Sequence, residues 1–262
     1  MFKSSNKGVS WLHITAGLVY LFLYIPLAVV IIYSFNDSRL NAEWVGFTFS
    51  WYEKLFHNDE MLSAALNSLI IACCSAALAT ILGTLAGIAI HRFRSTTLRV
   101  LAIAPVAMPD ILLGVSLLLL FMLLNISLGL TSIILAHTTF CLGFVALSVQ
   151  SRMSGMDDSL SEAASDLGAT PWQCFRLITL PLLMPGILAG GLMAFTLSID
   201  DFVITFFTAG VGSSTLPLQI YSMVKVAVTP EVNAVSTLLM LLTLILILLA
   251  SRVSPTIFGS KS

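Results

Sequence analysis

Three carboxylates lie inside long apolar stretches of the chain. Asp110 follows Pro105 and Pro109 in one stretch, and Asp200 and Asp201 are adjacent in another. A charge near the centre of a lipid bilayer costs roughly 2.5–3.5 kcal/mol, so such groups face protein or a water-filled path. The same stretches hold no obvious basic partner. Unpaired carboxylates of this kind could bind a positively charged solute. The alternative is that each carboxylate forms a structural hydrogen bond to a neighbouring helix.

The residues around these carboxylates refine the prediction. The two prolines remove backbone donors and are expected to kink or break the helix before Asp110, and broken helices in membranes usually line cavities. Ser198 is either a polar neighbour of the path or bonded back to its own helix. His137 is interpreted as a satisfied histidine of the helix bundle rather than a proton relay. Aromatic rings could face a passing ammonium group or simply pack, at Phe202, Phe206 and Phe207.

Composition places the chain in a membrane. Of its 262 residues, 58% are hydrophobic and 10% are charged, whereas soluble domains carry roughly 25% charged residues. The four cysteines are interpreted as small apolar fillers, with no metal or disulfide role expected. A net charge of −1 does not suggest nucleic acid as a partner.

Several motifs are missing from the sequence. It has no Gly-x-x-x-x-Gly-Lys-Ser/Thr, so ATP, if it is used, is expected in another chain. It has neither Gly-x-Ser-x-Gly nor His-Glu-x-x-His, which argues against common intramembrane hydrolases.

Apolar runs of about 20 residues can cross a bilayer. The sequence predicts an all-α, polytopic membrane protein with six transmembrane helices in one domain, 1–262. The first run is too long for a signal-peptide core and is expected to be retained. The predicted spans are 11–35, 64–90, 98–124, 131–150, 182–207 and 232–250.

Basic residues predict the orientation because cytoplasmic loops are enriched in them. One set of loops holds Lys3, Lys7, Arg92, Arg94, Arg99, Arg152, Arg176, Arg252 and Lys261. The opposite set holds Arg39, Lys54 and Lys225. Both termini and the loop 152–181 are therefore expected in the cytoplasm. The outer loop 36–61, with Trp51, is either a wet interfacial loop or a docking and entry surface.

The polar segment 157–181 predicts two short helices. Ser159 and Glu162 have the spacing of a capping box, and Gly168 supplies a left-handed exit. Such a hairpin either covers its own protein or contacts a partner. Thr170 and Gln173 have the spacing of a second capping box. Pro171 stands at the first helical position, and Pro181 is expected to end this second helix.

This segment resembles the EAA loop of permease subunits of bacterial ABC importers. The pattern is present as Glu162-Ala163-Ala164, Gly168 and Ile178-Thr179-Leu180-Pro181. The resemblance implies a coupling helix between spans four and five that sits in a groove of a cytoplasmic ATPase. It also implies a polar contact by Glu162, a tight turn at Gly168 and close approach at Ala163 and Ala164. The remaining positions of the coupling pattern are Ile178, Leu180 and Pro181.

Further motifs resemble the PotC-type permeases of spermidine/putrescine importers. They include Tyr24-Ile25-Pro26, Tyr33-Ser34-Phe35-Asn36, Met108-Pro109-Asp110, His137-Thr138-Thr139-Phe140-Cys141, Phe195-Thr196-Leu197-Ser198-Ile199-Asp200-Asp201 and Pro230-Glu231-Val232-Asn233-Ala234. The resemblance implies a bacterial inner-membrane complex with a second, PotB-like permease, a PotA-like ATPase dimer that binds ATP-Mg, and a periplasmic PotD-like polyamine-binding protein. It implies no cofactor in this chain. The residues it places along the substrate path are Asp110, Ser198, Asp200 and Asp201, with Trp51 near the outer mouth.

The expected function is ATP-driven polyamine import by alternating access, with no bond change catalysed by this chain. Carboxylates at different depths would bind the ammonium groups of a linear polyamine in succession. Putrescine-specific PotI-type permeases have much the same motifs, so spermidine and putrescine both stay open. The alternatives are the same importer class with another organic cation or an aminophosphonate-like solute, an ion-coupled secondary transporter, and an intramembrane hydrolase with paired aspartates.

Overall fold

The computed structural model describes residues 7–38, 43–157 and 159–253. The chain divides into two compact units, Met1–Asp59 with Ile220–Leu241, and Glu60–Gln219 with Leu242–Ser262. The described helices are α1 (Lys7–Tyr33), α2 (Ser50–Phe56), α3 (Asp59–Phe93), α4 (Thr96–Ala107), α5 (Asp110–Leu123), α6 (Leu130–Ser154), α7 (Ser159–Asp166), α8 (Pro171–Cys174), α9 (Leu180–Ile199), α10 (Val203–Thr208), α11 (Leu216–Val226) and α12 (Pro230–Val253).

The core of the second unit is formed where α6 packs against α3 and α9. Gly83 of α3 lies so close to α6 that a Cβ atom there would be 2.6 Å from Cβ of Val145 and 2.8 Å from the Leu142 carbonyl oxygen. Small residues at such contacts let helices in membranes approach closely, where van der Waals packing is the main attraction. Buried side chains fill the rest of this core, among them Ala76, Ala79, Cys141, Val145, Leu183 and Ile187.

Replacing Gly83 by alanine is expected to destabilise this unit by about 1–3 kcal/mol, because overfilling a packed contact forces backbone shifts. The Gly17→Ala change in α1 is the matched control, since a Cβ atom at Gly17 has no neighbour within 4 Å. Thermal unfolding of both variants in detergent measures the difference. Equal unfolding temperatures would contradict the close packing at Gly83.

A sharp bend separates α4 from α5. The two helices meet at 110°, and Pro109, with φ −58° and ψ 134°, stands between them. The prediction that prolines interrupt the stretch 98–124 is confirmed, with the break at Pro109, whereas Pro105 lies inside α4. Beyond the bend, α5 packs on α6 and α10 through Leu113, Leu117, Phe121, Ala136 and Ile204.

The first unit contains α1 and the segment that follows it. No residue in the apolar window of α1 is buried. After α1, Asn36 pairs with Phe47 in an antiparallel bridge, and its side chain bonds the backbone of Glu43 at 2.7 Å and Val45 at 2.9 Å. A cluster of rings packs around this turn, formed by Phe35, Phe47, Phe49 and Tyr52.

Four described helices are long and apolar enough to cross a membrane, or five if the bent pair α4–α5 is one span. The described apolar part of α12, Pro230–Ile245, is shorter. The count of six spans and the single domain therefore stay predictions. The predicted span 182–207 does not correspond to one helix, because α9 ends at Ile199 and α10 begins at Val203.

Candidate functional site

A break between α9 and α10 carries the adjacent carboxylates Asp200 and Asp201. Oδ2 of Asp201 accepts a hydrogen bond from the Thr205 N–H at 2.8 Å, and Oδ1 accepts from the Ile204 N–H at 3.4 Å. These N–H groups belong to the first turn of α10, whose donors have no partner within the helix. Asp201 therefore stabilises the start of α10 and fixes the break.

Asp201 also belongs to a buried polar network centred on His137 of α6. Nε2 of His137 lies 3.2 Å from Oδ2 of Asp201 and 3.0 Å from the Thr205 hydroxyl. Nδ1 lies 2.7 Å from the hydroxyl of Ser198, which in turn lies 2.8 Å from the hydroxyl of Ser75. The network thus ties α3, α6, α9 and α10 together.

The prediction that His137 is a satisfied histidine of the bundle is confirmed by these contacts. The interpretation of the carboxylates as unpaired within the chain is wrong for Asp201, because Nε2 of His137 lies beside its Oδ2. His137 lies in a different apolar stretch, so spacing along the sequence does not reveal this pair. Ser198 bonds to neighbouring helices through its hydroxyl. Sequence reasoning missed Ser75 and Thr205, whose hydroxyls look like ordinary back-bonding groups within a helix.

The order Ser198, His137, Asp201 is that of the Ser–His–acid arrangement of hydrolases. Nε2 of His137 faces the Asp201 carboxylate, and Nδ1 faces the Ser198 hydroxyl. The exposed fractions are 4% for Ser198 and 1% for His137, so the hydroxyl has no open side from which a solute could approach. The arrangement therefore serves to join helices.

Asp110 and Asp200 differ from Asp201 because both are exposed. Within the described part of the chain, neither carboxylate forms an ion pair. Asp110 is the first residue of α5, where the helix dipole favours a negative charge. Asp200 is the C-cap of α9, where the dipole favours a cation instead. Of these carboxylates, Asp200 is therefore the one whose negative charge a bound cation would stabilise most.

Trp51 lies in α2 of the first unit. Its Nε1–H donates to the Asn36 carbonyl at 2.8 Å, and Nζ of Lys54 lies 4.3 Å from its ring centroid. The Trp51 ring thus forms a cation–π interaction with Lys54 of its own chain. A role for Trp51 near the outer mouth stays a prediction.

The two short helices predicted after α6 are present as α7 and α8. Gly168 has φ +86° and follows α7 as the left-handed residue of a Schellman motif. Its N–H donates to the Ser165 carbonyl at 2.9 Å, and the Ala169 N–H donates to the Ala164 carbonyl at 3.0 Å. The predicted left-handed exit is confirmed, and Ala164 supplies one of its carbonyl groups.

The start of α7 differs from the prediction. Ser159 is the first helical residue rather than the cap, and its N–H donates to Oδ1 of Asp157 at 2.9 Å. This hydrogen bond from the backbone of Ser159, together with one from its side chain, lowers the pKa of the Asp157 carboxyl below its ordinary value. Asp157 therefore accepts a backbone N–H at the start of α7, whereas the capping-box spacing predicted the Ser159 hydroxyl as the acceptor there.

The second capping box is confirmed, but Pro181 does not end the helix. The Thr170 N–H donates to Oε1 of Gln173 at 2.8 Å, and the Gln173 N–H donates to the Thr170 hydroxyl at 3.4 Å. After α8 a π-helical turn, Phe175–Thr179, leads directly into α9. The wider turn rearranges the backbone hydrogen bonds where Pro181 lacks its N–H, so the helix continues.

The hairpin formed by α7 and α8 presents apolar side chains to its surroundings. The exposed fractions are 90% for Leu167, 67% for Trp172 and 70% for Leu177. Glu162 and Ala163 are exposed beside them, and the Trp172 ring stacks on Phe175 with centroids 5.6 Å apart. Exposed apolar groups rimmed by polar ones mark interaction sites. Of the other pattern residues, Pro181 is exposed while Ile178 and Leu180 are half-buried.

The long apolar helices and the exposed carboxylates at two helix breaks define a polytopic α-helical membrane protein with the makeup of a permease. The chain belongs to the family described as "Binding-protein-dependent transport system inner membrane component", which matches residues 79–260. It is therefore a multi-pass protein of the inner membrane and a component of a transport system.

The chain is similar to the spermidine/putrescine transport system permease protein PotC of Haemophilus influenzae, at 44% identity over 90% of this chain and 93% of that protein. It is also similar to the putrescine transport system permease protein PotI of Escherichia coli K12, at 45% identity over 88% of this chain and 85% of that protein. The resemblance to PotC-type permeases is thereby confirmed. The fold is similar to that of a chain in the crystal structure of a bacterial ABC transporter involved in the import of the acidic polysaccharide alginate, with a TM-score of 0.73, 15% identity and 96% of each chain covered.

Proposed function

We propose that this chain is the permease subunit of an ATP-driven importer of polyamines, spermidine or putrescine. The observation that carries the proposal is the exposed carboxylate of Asp200 at the C-terminal end of α9. It stands where the backbone carbonyl groups of the helix end favour a cation. The names of the relatives support the choice of solute.

In this proposal Asp110 and Asp200 bind the ammonium groups directly. Both carboxylates stand next to interrupted helices, where backbone polar groups can be hydrated within a membrane. Asp201 and Ser198 hold the break in place through the network around His137. A direct contact of Ser198 or Asp201 with the solute stays a prediction from the family resemblance.

The hairpin of α7 and α8 is the proposed site of contact with a cytoplasmic ATPase. Its exposed side chains Leu167, Trp172 and Leu177 would supply apolar contact, and Glu162 a polar one. The proposal places both termini in the cytoplasm, because most basic residues flank that side. The proposed complex also contains a second permease and a periplasmic binding protein, PotB-like and PotD-like, with ATP-Mg held by the PotA-like ATPase.

Asp200→Asn is expected to lower polyamine uptake at least tenfold in cells that carry the whole complex. One hydrogen bond to a charged group contributes about 1.5–3 kcal/mol, and about 1.4 kcal/mol is a factor of ten. Uptake of labelled spermidine and putrescine measures the loss, and Asp110→Asn is expected to act in the same direction. Asp59→Asn is the control, because Asp59 is an exposed carboxylate at the start of α3.

Co-purification of the ATPase shows whether each variant assembles. Normal uptake by both Asp110→Asn and Asp200→Asn in assembled complexes would overturn the assignment of these carboxylates. Uptake into liposomes by the chain alone would favour an ion-coupled secondary transporter instead.

A further inference from the structure

Three segments of the second unit surround a cavity of about 310 Å³. They are the end of α3, the turn into α4 with its first residues, and the end of α6. α6 leads from this cavity into the hairpin of α7 and α8. The lining residues are Ile90, His91, Arg94, Ser95, Thr96, Arg99, Gln150 and Ser154.

The charged side chains that line the cavity are all basic. The lining contains two arginines and a histidine, and none of its members is a carboxylate. Among the described residues, neither Arg94 nor Arg99 forms an ion pair or a side-chain hydrogen bond. Guanidinium groups bind phosphate through paired N–H donors in a fixed geometry. The cavity therefore offers donors for an anion that none of the described residues supplies.

The surroundings of the cavity are apolar and exposed. Phe93, Val100 and Leu101 flank the arginines with exposed fractions of 70%, 58% and 68%. In a membrane protein exposed apolar side chains are available to lipid, and the basic cavity beside them stands where an apolar surface meets a polar one. An amphiphile would satisfy both parts, with its head in the cavity and its chains along α4.

We propose that this cavity binds a phosphodiester anion, namely the headgroup of an anionic phospholipid. Basic cavities between helix ends on the cytoplasmic side recognise such headgroups. A volume of about 310 Å³ lies at the lower end of the range for small-ligand sites, about 300–1,000 Å³. A free phosphate group shares the recognition chemistry but makes no use of the apolar flank.

The backbone at Arg94 offers a variant that removes charge without disturbing the turn. Arg94 has φ +47°, a conformation that glycine adopts at no steric cost. Arg94→Gly therefore deletes a guanidinium group while easing the local backbone. Arg92→Gln is the matched control, since Arg92 is exposed at the same end of α3 but does not line the cavity.

The test measures which lipid the purified full-length chain retains by native mass spectrometry, from mixed micelles of phosphatidylglycerol and phosphatidylcholine. The wild type is expected to retain phosphatidylglycerol preferentially. Arg94→Gly and Arg99→Gln are each expected to lower that preference about fivefold, the effect of one basic side chain near an anionic surface. Arg92→Gln is expected to leave it unchanged.

Inorganic phosphate in excess distinguishes the two sources of the anion. Retention of phosphatidylglycerol in its presence supports the lipid headgroup, whereas displacement supports the anion site and assigns it to soluble phosphate. Equal retention of both lipids by the wild type, with no effect of phosphate, would overturn the proposal. An equal loss in Arg92→Gln would overturn it as well, because the preference would then follow net charge.

Discussion

Gly168→Val is expected to lower the affinity of the ATPase for this chain about thirtyfold. Gly168 has φ +86°, and a side chain with a Cβ atom pays roughly 1–2 kcal/mol in this conformation, with β-branched residues at the upper end. About 2 kcal/mol corresponds to a factor of about thirty in an equilibrium constant. Uptake should fall with it, since the hairpin would leave the conformation that its Schellman motif fixes.

Space at Gly168 does not limit the substitution, because a Cβ atom there has no neighbour within 4 Å. Gly168→Asn is therefore the matched variant: asparagine tolerates the left-handed conformation, and most of the coupling should return. Co-purification of the ATPase and substrate-stimulated ATP hydrolysis are the measurements. A valine variant that docks and couples normally would remove the hairpin from the mechanism.

His137→Ala is expected to cause the largest loss of stability, about 3–5 kcal/mol. The variant leaves the Asp201 carboxylate, whose side chain is only 9% exposed, without its basic partner, and breaking a buried pair costs about this much. The hydroxyl of Ser198 would lose its contact with Nδ1 as well. Thermal unfolding of the purified chain in detergent measures the effect.

A double-mutant cycle separates the His137–Asp201 contact from the other bonds of each residue. The variant with both His137→Ala and Asp201→Ala should be less destabilised than the sum of the single changes, because neither partner is then left buried alone. Asp200→Asn is the adjacent control and should leave the unfolding temperature nearly unchanged, since Asp200 is exposed. Additive losses in the cycle would contradict the pairing.

Local features were predictable because their causes lie within a few residues. The left-handed Gly168, the capping box of Thr170 and Gln173, and the interruption at Pro109 all follow from residue types at short spacing. The continuation of the helix through Pro181 was not predictable in this way. It depends on the π-helical turn before the proline, for which no residue in that segment gives a comparable signal.

The buried network could not be derived from spacing. Ser198 and His137 are 61 residues apart in sequence, and only the packing of α6 against α9 brings them together. Because packing decides which carboxylate meets a histidine, Asp200 and Asp201 read as equivalent in the sequence. In the structure Asp201 lies beside His137, whereas Asp200 is exposed.

The continuous helix from Pro171 to Ile199 has 29 residues, which at about 1.5 Å per residue gives a rod roughly 43 Å long. One end of this rod begins beside Thr170 in the hairpin, and the other ends at the Asp200 carboxylate. In the proposed mechanism, a tilt imposed at the hairpin would displace that carboxylate.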